Sequence, residues 1–109
     1  MMPFAVLLTK DAACDLEALY SYIALHDAPQ KADYVLEQIE KAFSRLSEFP
    51  ERGTYPKELA ALGIREYREI FLKPYRIIYR IMEKYVYVLL IVDGRRDKQT
   101  LLQRRLLDA

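Results

Sequence analysis

Pro74-Tyr75-Arg76-Ile77-Ile78-Tyr79-Arg80-Ile81-Met82 and, beyond Glu83-Lys84, Tyr85-Val86-Tyr87-Val88-Leu89-Leu90-Ile91-Val92-Asp93-Gly94-Arg95-Arg96-Asp97 decide how this chain folds. β-Branched and aromatic residues dominate both runs, which therefore read as two strands meeting at a turn over Glu83-Lys84. An arginine on a strand of so small a protein must bring its guanidinium to water or to a paired anion. Arg76, Arg80, Arg95 and Arg96 all lie in this hairpin and its exit, so they suggest a site for anions or acidic partners. The bland alternative is a set of solvated edges, because exposed charges contribute little by themselves.

Working outward, Ile64–Leu72 also has a period of two and reads as a strand, with Lys73-Pro74 as the turn into the next. Short turns between these three strands predict an antiparallel meander. Tyr85–Val92 is apolar on both faces, as a central strand covered on each side would be. Upstream, residues 50–63 hold Pro50, Gly53, Pro56 and Gly63 and read as a loop with a helical turn at Lys57–Leu62. Before the loop come two helices. Ala12, Leu16, Leu19, Tyr20 and Ile23 form one apolar face behind an expected N-cap at Asp11. Ala32, Val35, Leu36, Ile39, Phe43 and Leu46 form the second, which starts near Pro29 and stops at Phe49-Pro50. A connection of about three to five residues predicts an antiparallel helical hairpin packed on the sheet. Phe4–Thr9 is a first strand, expected beside the apolar fourth one, and Asp97 is expected to cap a final helix carrying Leu101, Leu102, Leu106 and Leu107. The fold class is α+β: a two-layer β-α-α-β-β-β domain, mainly antiparallel, with both N-terminal helices on one face and a short C-terminal helix.

Composition narrows the function. The 109 residues suit one domain spanning 1–109, 52% hydrophobic and 30% charged. Cys14 is the one cysteine, which excludes an intrachain disulfide and a cysteine-based metal site, and the lone His26 argues against a zinc or histidine-triad enzyme. No metal and no cofactor is expected. Neither a membrane span nor a signal peptide is visible, so a cytoplasmic protein with no membrane partner is the simplest expectation. The net charge of +1 hides an asymmetry: residues 1–63 hold six Lys/Arg against ten Asp/Glu (−4), residues 64–109 eleven against six (+5). That excess would steer the C-terminal half to nucleic acid or to an acidic polypeptide.

The order of elements, together with Ile64-Arg65-Glu66-Tyr67-Arg68, Pro74-Tyr75-Arg76-Ile77-Ile78-Tyr79-Arg80 and Val92-Asp93-Gly94-Arg95-Arg96-Asp97, resembles the RelE/ParE superfamily of bacterial type II toxins. Asp15-Leu16 with Ile23 in the first helix and Phe49-Pro50 then Gly53 after the second extend the likeness over nearly the whole chain. The resemblance implies a growth-inhibiting toxin held silent by a cognate antitoxin. RelE-like members resemble ribosome-dependent endoribonucleases that cut messenger RNA; ParE-like members resemble inhibitors of DNA gyrase that do no chemistry of their own. A third expectation is an interaction module that keeps the fold without the toxicity.

For a ribonuclease, Arg65, Arg68, Lys73, Arg76 and Arg80 would stabilise the phosphorane as catalytic residues. Alanine at Arg76 and Arg80 is then expected to weaken cleavage more than it unfolds the domain. A proton acceptor is less obvious. Asp93 stands before Gly-Arg-Arg where many relatives carry histidine, no tyrosine follows Tyr87, and Glu66 and Glu69 read more simply as exposed charges. An arginine acts as an acid only if its pKa falls far below its ordinary value. A ribosome binder is also expected to be more basic than +5 on one half. Both points favour the ParE-like reading, with the ribonuclease as the alternative.

Arg95, Arg96, Leu102, Arg105 and Leu106 are the expected target- or antitoxin-binding residues, with an apolar groove, a basic rim and the edge of Ile64–Leu72 receiving an acidic, disordered antitoxin tail. Arg95 or Arg96 equally suits a turn-fixing pair with Asp93 or Asp97. Without the antitoxin, that surface is expected either to form a homodimer or to be covered by the last helix. Tyr75, Tyr79, Tyr85 and Tyr87 read as the wall of the sheet, rings buried and hydroxyls wet, in preference to a base-stacking surface.

Overall fold

Thr9 is where strand gives way to helix. Its N–H donates to the Val88 carbonyl (3.0 Å), prolonging the pairing of the strand Ala5–Leu8 (β1). Its hydroxyl oxygen accepts the Ala12 N–H (3.1 Å), so Thr9 caps the helix Lys10–His26 (α1). Asp11, the expected cap, lies inside the first turn, where its carboxylate still faces the positive end of the helix dipole. The computed structural model describes residues 3–94 and 103–107.

The helix Pro29–Glu48 (α2) follows after Asp27-Ala28 alone, a tighter connection than the sequence suggests, with Pro29 in the first turn, where its missing N–H goes unneeded. Ala32, Ile39 and Leu46 recur at seven-residue spacing and are buried. The end of α2 is pinned to the start of β1: the Phe4 N–H donates to the Ser47 carbonyl (2.9 Å) and the Ser47 hydroxyl donates to the Phe4 carbonyl (2.6 Å).

The remaining elements are a 3₁₀ turn Pro50–Arg52, a single helical turn Lys57–Ala60 (α3), the strands Arg68–Leu72 (β2), Tyr75–Met82 (β3) and Tyr85–Asp93 (β4), and a π-helical turn Gln103–Leu107. The sheet order is β1-β4-β3-β2. β2, β3 and β4 form the expected meander, and β1 lies beside β4 as expected, but parallel to it. The direction follows from connectivity: the two helices between β1 and the meander carry the chain back before it re-enters the sheet.

Both faces of β3 and β4 are covered, which explains why their apolar residues run on without alternation. Ala12, Ile39 and Leu46 of the helices pack on Ile77, Tyr79, Val86, Val88 and Ile91. On the other face Leu59 of α3 and Tyr67 join Ile78, Leu90 and Val92 in a second, smaller core, with Leu106 against it. The C-terminal turn thus adds local cover to the two layers. Between Ile78 and Tyr79 the register shifts: Ile78 faces Leu90 while Tyr79 faces Val88, leaving Leu89 as an extra residue. This bulge returns Ile91 to the helix-facing side, although it lies three positions, an odd number, beyond Val88.

The second strand is shorter than expected. Ile64 and Tyr67 turn into the smaller core instead of pairing along the sheet. The outer edge of β2 is partly closed as well, because Thr54 and Glu69 exchange N–H···O bonds of 3.0 and 2.7 Å across it.

Tyr79 departs from the expected wet hydroxyl. It is wholly buried, its O–H donates to the Pro50 carbonyl (2.6 Å) and its oxygen accepts the Gly53 N–H (3.0 Å). Burial pushes its pKa above the ordinary 10.0, against the opposing pull of the Gly53 N–H and of the Arg68 and Arg52 charges. A phenol with a higher pKa folded than unfolded contributes stability that is whole below the unfolded pKa and is lost as pH rises through the folded one. Urea midpoints are therefore expected to hold to about pH 9 and fall beyond about pH 10. Tyr79→Phe should flatten that fall while costing about 1–3 kcal/mol at neutral pH, since the Pro50 carbonyl and Gly53 N–H lose their partner. An equal alkaline slope in both proteins would refute the assignment.

Candidate functional site

The arginines of the meander are sorted by the partners that folding brings to them. Arg76 stands on the face of β3 that carries Ile78, and points into the protein: it is 2% exposed, against 4% for Glu69. Its Nε donates to Glu69 Oε2 (2.7 Å), its Nη1 and Nη2 donate to the Glu58 carboxylate (2.8 and 3.1 Å), and Nη2 also bonds Glu69. Glu58 comes from α3 and Glu69 from β2, so one guanidinium ties the cover to the sheet. The expectations that Arg76 meets a target's anion and that Glu69 is an exposed charge both give way here. Burial works against the Arg76 charge, but the bonds to Glu58 and Glu69 outweigh it and raise the pKa above its ordinary value. A guanidinium held that way cannot release a proton near neutrality, which removes Arg76 as a general acid.

Arg105 is neutralised as well. It forms a two-pronged pair with Asp15 of α1 (2.9 and 3.2 Å), lies 3.8 Å from Asp11, and donates to the Leu89 carbonyl at the bulge (3.0 Å). The Asp15 pair is the main reason its pKa rises; partial burial opposes. Asp15 also accepts the Ile91 N–H (3.1 Å). β1 pairs with β4 only as far as Val88 in residue register, so beyond it these two side chains serve β4 in place of a neighbouring strand. Arg105 and Leu106 therefore hold the C-terminal turn in place, one by charge and one by burial in the smaller core.

Arg65, Arg68 and Arg80 are brought together. With Glu66 and Ile81 they line an open groove of about 280 Å³ at the end of the β2–β3 pair. Arg68 is fixed by neutral acceptors: Nη1 donates to the Gly53 and Glu51 carbonyls (2.9 and 3.2 Å), Nη2 to the Tyr55 hydroxyl (3.2 Å). The Arg65 and Arg68 guanidiniums lie 5.6 and 4.8 Å from the centre of the Tyr55 ring, and that of Arg80 lies 5.9 Å from the Tyr67 ring. Among the described residues the one carboxylate paired with this group is Glu66, 3.5 Å from Arg80.

Lys73 is exposed in the β2–β3 turn, five positions beyond Arg68 and so roughly 16 Å away at strand rise, outside the groove. Arg95, Arg96, Leu102 and the Asp97 cap lie outside the described residues. Sequence reasoning missed Tyr55, Glu58 and Asp15 as partners of arginines. Each lies on another element, ten to ninety residues from its arginine, and no local spacing marks it.

Comparison with known proteins agrees with this architecture. The model of the family described as ParE toxin of type II toxin–antitoxin system, parDE, matches residues 6–98. Toxin ParE3 of Caulobacter vibrioides is 30% identical over 92 residues, 84% of this chain and 88% of its own. Among solved structures, the RelBE2 toxin–antitoxin complex of Mycobacterium tuberculosis superposes with a TM-score of 0.57 at 26% identity, covering 85% of this chain and 93% of that one. The chromosomal ParDE system of P. aeruginosa (TM-score 0.69, 24% identity, 83% and 95% covered) and a mutant of E. coli RelE in the free state (0.63, 18%, 97% and 100%) share the fold. With that match over most of its length, the chain belongs to the ParE toxin family of type II toxin–antitoxin systems.

Proposed function

We propose that this toxin inhibits bacterial growth by poisoning DNA gyrase, breaking no bond itself, and that a cognate antitoxin silences it. The observation that carries this reading is the make-up of the groove. Three guanidiniums with Glu66 as their companion carboxylate form a surface suited to holding charge. Glu69 of β2, the other candidate proton acceptor, is spent on Arg76. Glu66 alone would have to both take and give the proton of a cleavage reaction, and its carboxylate already lies against Arg80 at 3.5 Å.

The ribonuclease reading keeps one observation in its favour, since Arg65, Arg68 and Arg80 together would stabilise a phosphorane. The RelBE2 neighbour, whose name records a toxin–antitoxin complex, supports an antitoxin partner for this chain. An acidic tail suits the basic C-terminal half, and its association is expected to weaken as salt rises.

Purified chain added to a gyrase supercoiling assay, beside a translation assay with message integrity followed, tests the proposal. Blocked supercoiling with intact messages is the expected result. Cut messages with normal supercoiling would install the ribonuclease reading, and normal growth on expression of the lone chain would replace both with a non-toxic interaction module.

A further inference from the structure

Two kinds of arginine coexist in this protein. Arg76 and Arg105 each meet two carboxylates, so their charge is cancelled locally. Arg68 is held as firmly, but by two carbonyls and a phenol, which remove its freedom and leave its charge. Arg65 shares the Tyr55 ring with it, and Arg80 completes the wall. Three cations around one groove of about 280 Å³ repel one another, and one carboxylate offsets only part of that repulsion. That carboxylate, Glu66, holds Arg80 loosely: the contact is 3.5 Å, with side chains 38% and 60% exposed. A pair so exposed and so long is easily displaced by a better anion.

We propose that the groove takes a phosphodiester of a nucleic-acid backbone, and that Glu66 is its built-in competitor, lying across Arg80 until a phosphate replaces it. The inference rests on the gyrase reading only for which nucleic acid is met, the DNA that gyrase holds. Phosphate fits better than the carboxylate of an acidic peptide. A planar carboxylate is satisfied by one guanidinium fork, whereas a tetrahedral phosphate can accept from several arginines at once. A pre-fixed guanidinium such as Arg68 loses little further freedom on binding, and Tyr55, 37% exposed, offers an aromatic ring beside the phosphate site.

Fluorescence anisotropy of the full chain with a short labelled DNA duplex, and separately with single-stranded RNA of equal length, tests the proposal. Glu66→Gln is expected to tighten binding roughly three- to tenfold, because it removes the competing charge and keeps the shape. Arg65→Ala and Arg80→Ala should each weaken binding by a similar factor and lower the salt slope by about one. Glu37→Gln makes the same charge change on the outer side of α2, where Glu37 pairs with Lys41, and should stay within about twofold of the parent. Unchanged melting temperatures show that these exposed substitutions leave the fold intact. Equal effects of Glu66→Gln and Glu37→Gln, indifference to both alanine variants, or stronger binding of a polyglutamate peptide than of either nucleic acid would overturn the proposal. Nucleic-acid binding without gyrase inhibition supports the groove and counts against the gyrase reading. Gyrase inhibition without any nucleic-acid binding overturns the groove alone.

Discussion

Arg76→Ala is expected to lower the free energy of unfolding by about 3–5 kcal/mol. In a protein of this size that is a drop in melting temperature of roughly 15–30 °C. The magnitude comes from what is left behind. Among the described residues every buried side-chain nitrogen and oxygen has a partner, and Arg76 supplies bonds to both Glu58 and Glu69. Glu69 at 4% exposure then has a carboxylate without its guanidinium, inside the sheet's second core, where it must stay charged at great cost or take up a proton. Glu58 suffers less, because its side chain is 21% exposed and can turn to water. The loss is therefore expected to be repaired by a second change. Arg76→Met combined with Glu69→Leu removes the stranded charge with its partner, and should recover most of the stability seen by urea denaturation. A single Arg76→Ala variant within about 1 kcal/mol of the parent would show that the triad contributes little. The same reasoning reverses the expectation drawn from sequence, in which alanine at Arg76 and Arg80 reads on activity first. At Arg80, partly exposed in the groove, it remains an expectation; at Arg76 the loss of stability is expected to come first.

Gly53→Ala has the second largest expected effect, about 3 kcal/mol of destabilisation, at the upper end for one added methyl in a packed interior. The backbone of Gly53 (φ −75°, ψ 162°) is open to any residue, so the cost is steric. A Cβ there would lie 2.5 Å from the Tyr79 hydroxyl oxygen and 2.7 Å from the Glu69 carbonyl oxygen. Neither atom gives way easily. The hydroxyl is held between Pro50 and Gly53 itself, and the carbonyl accepts the Thr54 N–H. Tyr79→Phe takes away the nearer atom, so the double variant should be less destabilised than the two single losses added, by about 1 kcal/mol or more. Strict additivity would place the clash elsewhere. Gly63 makes the contrast: it has φ +78° with nothing within 4 Å of a new Cβ. Alanine there should cost only the left-handed backbone strain, about 1 kcal/mol.

The two variants probe one construction. The loop from Pro50 to Pro56 is threaded between the sheet and solvent, held by the Tyr79 hydroxyl, the Arg68 guanidinium and the Thr54–Glu69 bridge. Two neighbouring residues of β2 thus do opposite work. Glu69 points inward to neutralise Arg76, and Arg68 points outward to keep its charge beside Arg65 and Arg80. The alternation of a strand is what lets one five-residue segment serve both the core and the groove.

The sequence by itself determined the elements and their order. A β-branched hairpin, an α2 stripe at seven-residue spacing and Pro or Gly at several of the breaks are local patterns, and local patterns are readable because backbone periodicity and side-chain shape decide them. The apolar β4 flagged its central place for the same reason, and the place of β1 beside it followed. Tertiary structure decided which arginine is a strut and which faces a ligand. Arg76 and Arg80 look alike in the sequence, four residues apart on one strand. Only the arrival of Glu58 from α3 and of Glu69 from β2 buries the first, while Glu66 grips the second weakly at the surface. Charge is written into the chain residue by residue, but its neutralisation depends on partners brought close by folding, and no spacing along the chain records that distance.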